Sequence, residues 1–291
     1  MTAKEVATSG GIAVPGSTVT SRPSSIGSSL RDIAIVALRY RRLATRTPLL
    51  LLVYIGQPLM FVLLFAFVFG NALGGDKYRE FLIAGIMALG VAFNGGFSAA
   101  SIAEDGRSGI MTRFAVLPMS RIAPIAGRTL FDVGVNLLSV AVMASIGLLV
   151  GWRITTGFFP ALGGILLLLL FGQAIAWMGC FVGMVSPTGE VAQSLIAVVT
   201  FPMTFISSAL VPAQSLPSVL RPVAAWNPVT TLSQALRESF GNPTLLTALN
   251  PGPPNWAAQH PYVYTAGTSL AIIAVTVSLV VWRLRTERIV G

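Results

Sequence analysis

Long apolar runs alternate with short polar stretches along most of this 291-residue chain. A helix needs about 20 apolar residues to cross the hydrocarbon core of a bilayer. Six runs are long enough, and they predict transmembrane helices over about 48–72, 81–103, 122–150, 158–185, 191–211 and 264–282. The predicted fold class is therefore an all-α integral membrane protein with six transmembrane helices.

The stretch 30–46, before the first run, has a different pattern. On a helical wheel one face carries Leu30, Ile33, Val36, Ala37, Tyr40, Leu43 and Ala44, and the other carries arginines that include Arg39, Arg42 and Arg46. This pattern predicts an N-terminal interfacial amphipathic helix, with the apolar face in the headgroup boundary and the arginines toward anionic lipid.

Two stretches lack the pattern of a spanning helix. Residues 1–29 contain few large apolar side chains, so a disordered cytoplasmic tail without a signal peptide is expected there. Residues 212–262 form a connection rich in Pro, Asn and Trp. Its amphipathic pieces, 219–226 and 229–240, are too short to cross a membrane, and they are expected to dip in or lie flat on its surface.

Composition and charge support a membrane location. The chain is 54% hydrophobic and only 10% charged, whereas a soluble domain has roughly 25% charged residues. The net charge is +9, but the basic residues flank the apolar runs rather than form one patch, which argues against nucleic acid as a partner. Thirteen arginines fall on one predicted side and five basic residues on the other. This bias predicts that both termini are cytoplasmic.

The longest charged interruption between apolar runs is the stretch 104–128. Within it Ile110, Met111, Phe114 and Leu117 recur at helical spacing, and Pro118 follows, so a short amphipathic helix is predicted. Two interpretations are open at this point. The helix lies on the membrane surface and docks a partner, or the charges are simply those found at the ends of any membrane loop.

Asp132 is the one carboxylate that falls well inside a predicted span. A carboxylate at depth in a membrane is costly and is a functional candidate. Arg128 lies four residues earlier, however, so the two side chains share one helical face and can pair. The spacing favours a salt bridge near the membrane interface over a mid-membrane functional carboxylate.

Motifs for catalysis are absent from the sequence. Lys4 and Lys77 are the only lysines, and neither belongs to a phosphate-binding loop. His260 is the only histidine and is interpreted as a loop residue, and the single Cys180 is interpreted as a small core residue. We therefore expect no catalytic residue, no metal and no cofactor bound by this chain.

Two blocks of residues resemble the ABC-2 type transporter permease family. The first comprises Glu104-Asp105, Gly109, Arg113, Leu117-Pro118, Ser120-Arg121 and Gly127-Arg128. The second comprises Phe205-Ile206-Ser207-Ser208, Val211-Pro212, Leu216-Pro217, Trp226-Asn227-Pro228-Val229-Thr230 and Ala235-Leu236-Arg237. The resemblance covers about residues 30–288, and within the family it is greatest to the daunorubicin-resistance drug-efflux branch.

The resemblance implies a permease that pairs with a second permease chain and with a separate subunit that binds ATP and Mg. It implies an ABC-2 type transmembrane domain over 30–291 in a bacterial cell membrane, and a coupling region at 104–120 that docks on the ATPase. The implied coupling residues are Glu104, Asp105, Gly109, Arg113, Phe114, Leu117 and Pro118, with Arg113 making an ionic contact or lock. The implied extracellular connection, which caps the path, carries Pro212, Pro217, Asn227, Pro228 and Arg237.

Several functions follow as alternatives. The first is the permease of an ATP-driven exporter of a hydrophobic or amphipathic drug, antibiotic or lipid. The alternative cargo for such an exporter is a polysaccharide or glycolipid. An ion-coupled carrier is a different class and would depend on Asp132. A membrane-embedded enzyme would need a cluster of nucleophiles, bases or metal ligands, which the sequence does not offer.

Overall fold

The computed structural model describes residues 26–65, 76–210, 216–242 and 255–286. All regular secondary structure in these ranges is helical. The helices are α1 (Ile26–Arg46), α2 (Pro48–Leu63), α3 (Asp76–Arg107), α4 (Ile110–Val116), α5 (Ala123–Leu149), α6 (Phe158–Val185), α7 (Gly189–Phe205), α8 (Arg221–Ala225), α9 (Pro228–Phe240), α10 (Trp256–Gln259) and α11 (Pro261–Thr286). The all-α prediction is confirmed for the described residues.

Helices α2, α3, α5, α6, α7 and α11 run between two ends of one bundle in alternating directions. We call these the α4 end and the α9 end, after the short helix at each. At the α4 end, Arg121 before α5 donates to the Leu284 carbonyl near the end of α11. At the α9 end, Trp152 after α5 donates to Asn242 after α9. The order of elements therefore agrees with the alternation of spans that the apolar runs predict.

Four of these helices, α3, α5, α6 and α11, are long and apolar enough to cross a membrane, and α7 is a shorter apolar helix. The structure gives α6 the predicted bounds, and it lengthens α3 and α11 beyond their apolar runs. Helix α2 is described as far as Leu63, and the rest of the first predicted span falls largely on residues 66–75, outside the described residues. The count of six membrane spans stays a prediction.

The helix of the fifth predicted span, about 191–211, ends before its apolar run does, at Phe205. Side chains replace the helical hydrogen bonds there. The Ser207 hydroxyl donates to the Thr204 carbonyl (2.5 Å), and the Ser208 amide donates to the Thr230 hydroxyl (3.0 Å). Asn227 donates to the Met203 and Ile206 carbonyls. The backbone groups freed by the end of the helix are thereby satisfied within the protein, as a low-dielectric environment requires.

Helix α3 lies at the centre of the bundle, with 89% of its apolar segment buried. It approaches α6 through glycines. A Cβ atom added at Gly179 would lie 2.3 Å from the Gly95 carbonyl oxygen, and one at Gly183 would lie 2.4 Å from the Ala99 carbonyl oxygen. Small residues let backbones pack closely in membranes. The Asn94-Gly95-Gly96 cluster of α3 thus lies where α6 makes its close approach.

Aromatic side chains join α3 to α2 and α7. The Phe61 ring of α2 stacks on the Phe93 ring of α3 with centroids 6.1 Å apart. The Phe201 ring of α7 meets Phe93 edge-on at 5.3 Å. These contacts are made by large aromatic side chains, whereas the contact with α6 is made by glycines that bring the two backbones together.

Helix α1 packs on α5 through a narrow stripe. Val36, Tyr40 and Ala44 are buried, and a Cβ atom at Gly127 of α5 would come within 2.6 Å of Val36. Leu30 and Leu43, expected on the same apolar face, are exposed instead. The close approach at Gly127 turns part of the predicted apolar face toward α5, and the placement of α1 in the headgroup boundary stays a prediction. The helix also begins at Ile26, so the last four residues of the predicted tail are helical, while 1–25 lie outside the described residues.

We expect Gly179→Leu to destabilise the bundle, because the new side chain would clash with the α3 backbone. Overpacking of this kind costs about 1–3 kcal/mol or more, which should appear as a lower midpoint in thermal unfolding of the detergent-solubilised protein. Gly163→Leu, on the same helix with nothing within 4 Å of its added Cβ, is the matched control. Equal midpoints for the two variants would show that the close contact does not hold α3 and α6 together.

Candidate functional site

The predicted coupling region lies at the α4 end and is built from a break between two helices. Helix α3 ends at Arg107, and Gly109 caps α4 with a left-handed backbone conformation (φ 72°) that favours glycine. After α4, Leu117 is extended (ψ 148°), as expected before Pro118. The predicted short helix is present as Ile110–Val116, and its flanking residues determine where it begins and ends.

The acidic pair of the sequence motif has two separate environments. Glu104 is exposed and pairs with Arg107 at 2.9 Å, both in the last turns of α3. Exposed pairs of this kind contribute little to stability. Asp105 is buried, and the Arg39 guanidinium of α1 binds both of its carboxylate oxygens at 2.8 and 2.9 Å. Asp105 therefore holds α1 against α3 rather than facing outward.

A third group completes this clamp, which we define as Arg39, Tyr40 and Asp105. The Tyr40 hydroxyl donates to Asp105 at 2.5 Å. Burial, followed by the nearby Asp105 charge, raises the pKa of Tyr40 well above its usual range, so the phenol remains a donor. The hydrogen bond to Asp105 raises the pKa of Arg39. A bidentate, charge-assisted contact of this kind is geometrically specific.

A buried polar column continues from the clamp between α3 and α5. It consists of Asn94, Ser98 and Ser101 of α3 and Arg128, Asp132 and Asn136 of α5. Asn94 donates to Asn136 at 2.7 Å, Ser98 to Asp132 at 2.7 Å, and Arg128 to Ser101 at 3.0 Å. The Arg128 guanidinium also lies 5.1 Å from the Tyr40 ring centroid, which links the column to the clamp.

The salt bridge predicted between Arg128 and Asp132 is confirmed, with nitrogen and oxygen 3.0 Å apart. Both side chains are almost fully buried between helices. A buried ion pair is tolerated only when further hydrogen bonds satisfy its remaining polar atoms, and Ser98 and Ser101 provide them here. Asp132 is thus committed to partners within the protein.

Helix α4 has an inward and an outward side. Phe114 is half-buried, with its ring centroid 5.6 Å from the Arg39 guanidinium carbon. Arg113, Val116 and Leu117 are exposed, Val116 by 82%. No contact among the described residues engages the Arg113 side chain. An exposed arginine beside two exposed apolar residues is the composition of a protein-binding surface rather than of a folded interior.

The remaining predicted residues are dispersed. Arg42 and Arg46 are exposed on α1, and Pro118 is exposed after α4. At the α9 end Pro217 is exposed, whereas Asn227 is buried and caps α9, with Pro228 as its first residue. Pro212 lies outside the described residues. The structure therefore brings together Asp105, Phe114 and Arg39 but not the whole predicted set.

Arg237 was predicted to belong to an extracellular connection, and the structure buries its side chain completely. Its guanidinium donates to the carbonyls of Phe81, Ser208 and Ala209 at 2.9–3.0 Å. The carbon of the guanidinium lies 3.6 Å from the centroid of the Phe81 ring. Arg237 thereby ties α9 to the start of α3 and to the turn after α7.

The described residues hold no cluster of three or more His, Cys, Asp or Glu that could bind a metal. Cys180 is fully buried in an apolar cluster, in agreement with its interpretation as a core residue. His260 lies between α10 and α11, and its ring centroid is 5.4 Å from that of Trp256. Sequence patterns did not predict the hydrogen bond from Tyr40 to Asp105 or those from Asn94 and Ser98 to α5. Asn94 and Ser98 are polar residues inside an apolar run, and that pattern could have indicated buried partners.

Comparison with known proteins assigns the family. Residues 31–240 match the model of the ABC-2 type transporter. The chain is 28% identical over 193 residues to the daunorubicin resistance ABC transporter permease protein DrrB1 of Streptomyces coeruleorubidus, covering 66% of this chain and 68% of that protein. It is 29% identical over 230 residues to the probable doxorubicin resistance ABC transporter permease protein DrrC of Mycobacterium tuberculosis, covering 77% and 83%.

A more distant relative is the putative transport permease ycf38 of Cyanophora paradoxa, which is 24% identical over 224 residues and covers 75% of this chain and 77% of that protein. The match to the family model covers most of the chain and includes both blocks of residues that carry the resemblance. The predicted resemblance to drug-resistance permeases is confirmed. This chain belongs to the ABC-2 type transporter family.

Proposed function

We propose that this chain is the membrane-spanning permease subunit of an ATP-driven exporter, powered by a separate ATP-binding subunit and paired with a second permease chain. Its cargo is a hydrophobic or amphipathic drug, antibiotic or lipid. Membership of the ABC-2 family supports the permease role. The daunorubicin and doxorubicin resistance named for two relatives supports export of an amphipathic compound.

The observation that carries the proposal is the arrangement of α4. Its outward side presents Arg113, Val116 and Leu117 to the surroundings, and its inward side meets the clamp through Phe114 and Arg39. A partner that binds the outward side can therefore move a helix that is linked to the transmembrane bundle. This geometry suits the docking interpretation of the charged stretch 104–128 better than the interpretation as an ordinary loop.

The proposed mechanism follows from these contacts. ATP binding draws the two ATPase subunits together and displaces the docked α4 helices. The clamp then passes the displacement from the end of α3 to α1, and the polar column couples α3 to α5. The ATPase shifts the population between two permease arrangements, because its ATP-bound form binds one of them better.

The α9 end is proposed to close the outer side of the path. Arg237 joins α9 to α3 and to the turn after α7, so this end behaves as one packed unit. The termini are proposed to be cytoplasmic, since the arginine-rich segments gather at the α4 end. An ion-coupled carrier is disfavoured, because Asp132 is already paired with Arg128 and hydrogen-bonded to Ser98.

The direct test is to solubilise the native complex gently, purify it through this chain and identify the proteins that accompany it. A stoichiometric soluble ATPase with a phosphate-binding loop is expected. Reconstitution of that complex should then give ATP-dependent transport of an amphipathic drug in vesicles. A chain that purifies alone and moves the drug without ATP would contradict the proposal.

We expect Asp105→Asn to lower transport roughly tenfold at normal membrane levels, because it weakens charge-assisted hydrogen bonds from Arg39 and leaves that cation poorly compensated. ATP hydrolysis by the complex should persist but respond less to cargo. Glu104→Gln makes the same chemical change at the neighbouring, exposed residue and should have the smaller effect. Equal losses for both variants would show that the clamp plays no special part.

We expect Arg113→Ala to reduce co-purification of the ATPase about tenfold without preventing membrane insertion, because an exposed cation would be removed from the docking side of α4. Pull-down followed by quantitative immunoblotting measures the ratio of the two subunits. Arg153→Ala removes an exposed arginine at the α9 end and should leave that ratio unchanged. Wild-type drug efflux by Arg113→Ala at normal levels would refute this role.

A further inference from the structure

A cavity of about 730 Å³ lies at the α4 end, behind α4. Five segments line it: the end of α3, the inward side of α4, the start of α5, the end of α6 and the end of α11. Its volume is typical of a small-molecule site. Residues of the coupling region, Phe114 among them, line the cavity, but Arg113 and Val116 do not, so it lies on the side of α4 opposite the proposed ATPase contact.

The lining is amphipathic. Ile102, Ile125 and Met184 provide apolar surface, and the first two are almost fully buried. Arg107 and Arg121 are exposed arginines of the lining. The cavity therefore combines an apolar floor with two guanidinium groups, and guanidinium groups are well shaped to bind phosphate oxygens.

The arginines retain capacity for a ligand. Arg107 uses two of its guanidinium nitrogens in the exposed pair with Glu104. One nitrogen of Arg121 donates to the Leu284 carbonyl at a long 3.3 Å. Arg285 follows in the last turn of α11 and adds a further basic residue near Leu284. The local charge is positive and accessible from outside the bundle.

The depth of the cavity points to a lipid headgroup. Helix α6 has 28 residues, which corresponds to about 42 Å at 1.5 Å per residue and exceeds the roughly 30 Å hydrocarbon core. The lining residues Gly183 and Met184 lie in its last turn, and Ser186 lies just beyond it. That level coincides with the headgroups when α6 spans the bilayer. Basic pockets between spanning helices on the cytoplasmic side suit anionic lipid headgroups.

We propose that this cavity is a binding site for an anionic phospholipid of the adjacent leaflet. The phosphate diester binds Arg121 and Arg107, and part of an acyl chain lies along Ile102, Ile125 and Met184. Neutral lipids lack the net negative charge that the guanidinium groups attract, so the site discriminates by charge. The proposal does not depend on which cargo the protein moves.

Gly106 offers a test that leaves the arginines in place. It lines the cavity, and nothing lies within 4 Å of a Cβ atom added there. Gly106→Leu therefore adds bulk at the cavity lining without a clash in the protein. Gly134→Leu is the matched control, since Gly134 has the same open surroundings but lies on an exposed face of α5 away from the cavity.

The experiment is native mass spectrometry of the full chain, purified in mild detergent and titrated with phosphatidylglycerol or phosphatidylcholine. The wild type should retain phosphatidylglycerol preferentially. Gly106→Leu and Arg121→Gln should each weaken that retention about tenfold, since each removes space or a charge-assisted contact. Gly134→Leu and Arg41→Gln, which removes an exposed arginine of α1, should match the wild type.

Three results would overturn the proposal. Equal retention of both lipids would show that charge is not recognised. Displacement by glycerol phosphate at concentrations similar to the lipid would identify a free-phosphate site, and expulsion of the lipid by the bound ATPase would assign the cavity to a protein interface. If size-exclusion chromatography shows that Gly106→Leu does not fold, the lipid retention of Arg121→Gln alone tests the proposal. Transport is not measured, so the proposal stands or fails independently of the exporter function.

Discussion

The close backbone contact between α3 and α6 is the constraint on which the rest of the structure depends. Gly95, Gly179 and Gly183 remove the side chains that would hold these helices apart. In a bilayer, association of helices relies on such packing, because moving an apolar side chain from lipid into the protein interior lowers its free energy very little. With α6 against one side, α3 can be surrounded by α5, α2 and α7 and become the central helix of the bundle.

The central position of α3 explains why its buried polar and charged side chains are paired with neighbouring helices. Asn94, Ser98 and Asp105 lie along one helix that is enclosed on most sides, so each needs a partner from a neighbour. Helix α5 supplies partners for the first two, and α1 supplies them for Asp105. The clamp and the polar column thus form one continuous set of hydrogen bonds that satisfies the buried polar groups. Together they determine how α1, α3 and α5 align.

Much of this arrangement could be predicted from residue patterns. The period of apolar residues located the long helices, and the spacing of Arg128 and Asp132 indicated their salt bridge. The partners of Asp105 could not be predicted, because Arg39 lies 66 residues away and the tertiary fold brings it near. The end of α7 was missed for the same reason: Asn227 and Thr230 satisfy its backbone from a distant segment. Local patterns identify helices, whereas long-range hydrogen bonds decide where polar side chains face.

The two kinds of contact made by α3 have different mechanical properties. At the glycine contact with α6, backbone meets backbone, and a sliding movement would at once bring larger side chains into collision. At Phe93, the flat rings of Phe61 and Phe201 meet without any hydrogen bond between them. Such faces can shift past one another while remaining in van der Waals contact. Sliding is therefore resisted where the backbones of α3 and α6 meet, and it is easier where α2 meets α3 through aromatic rings.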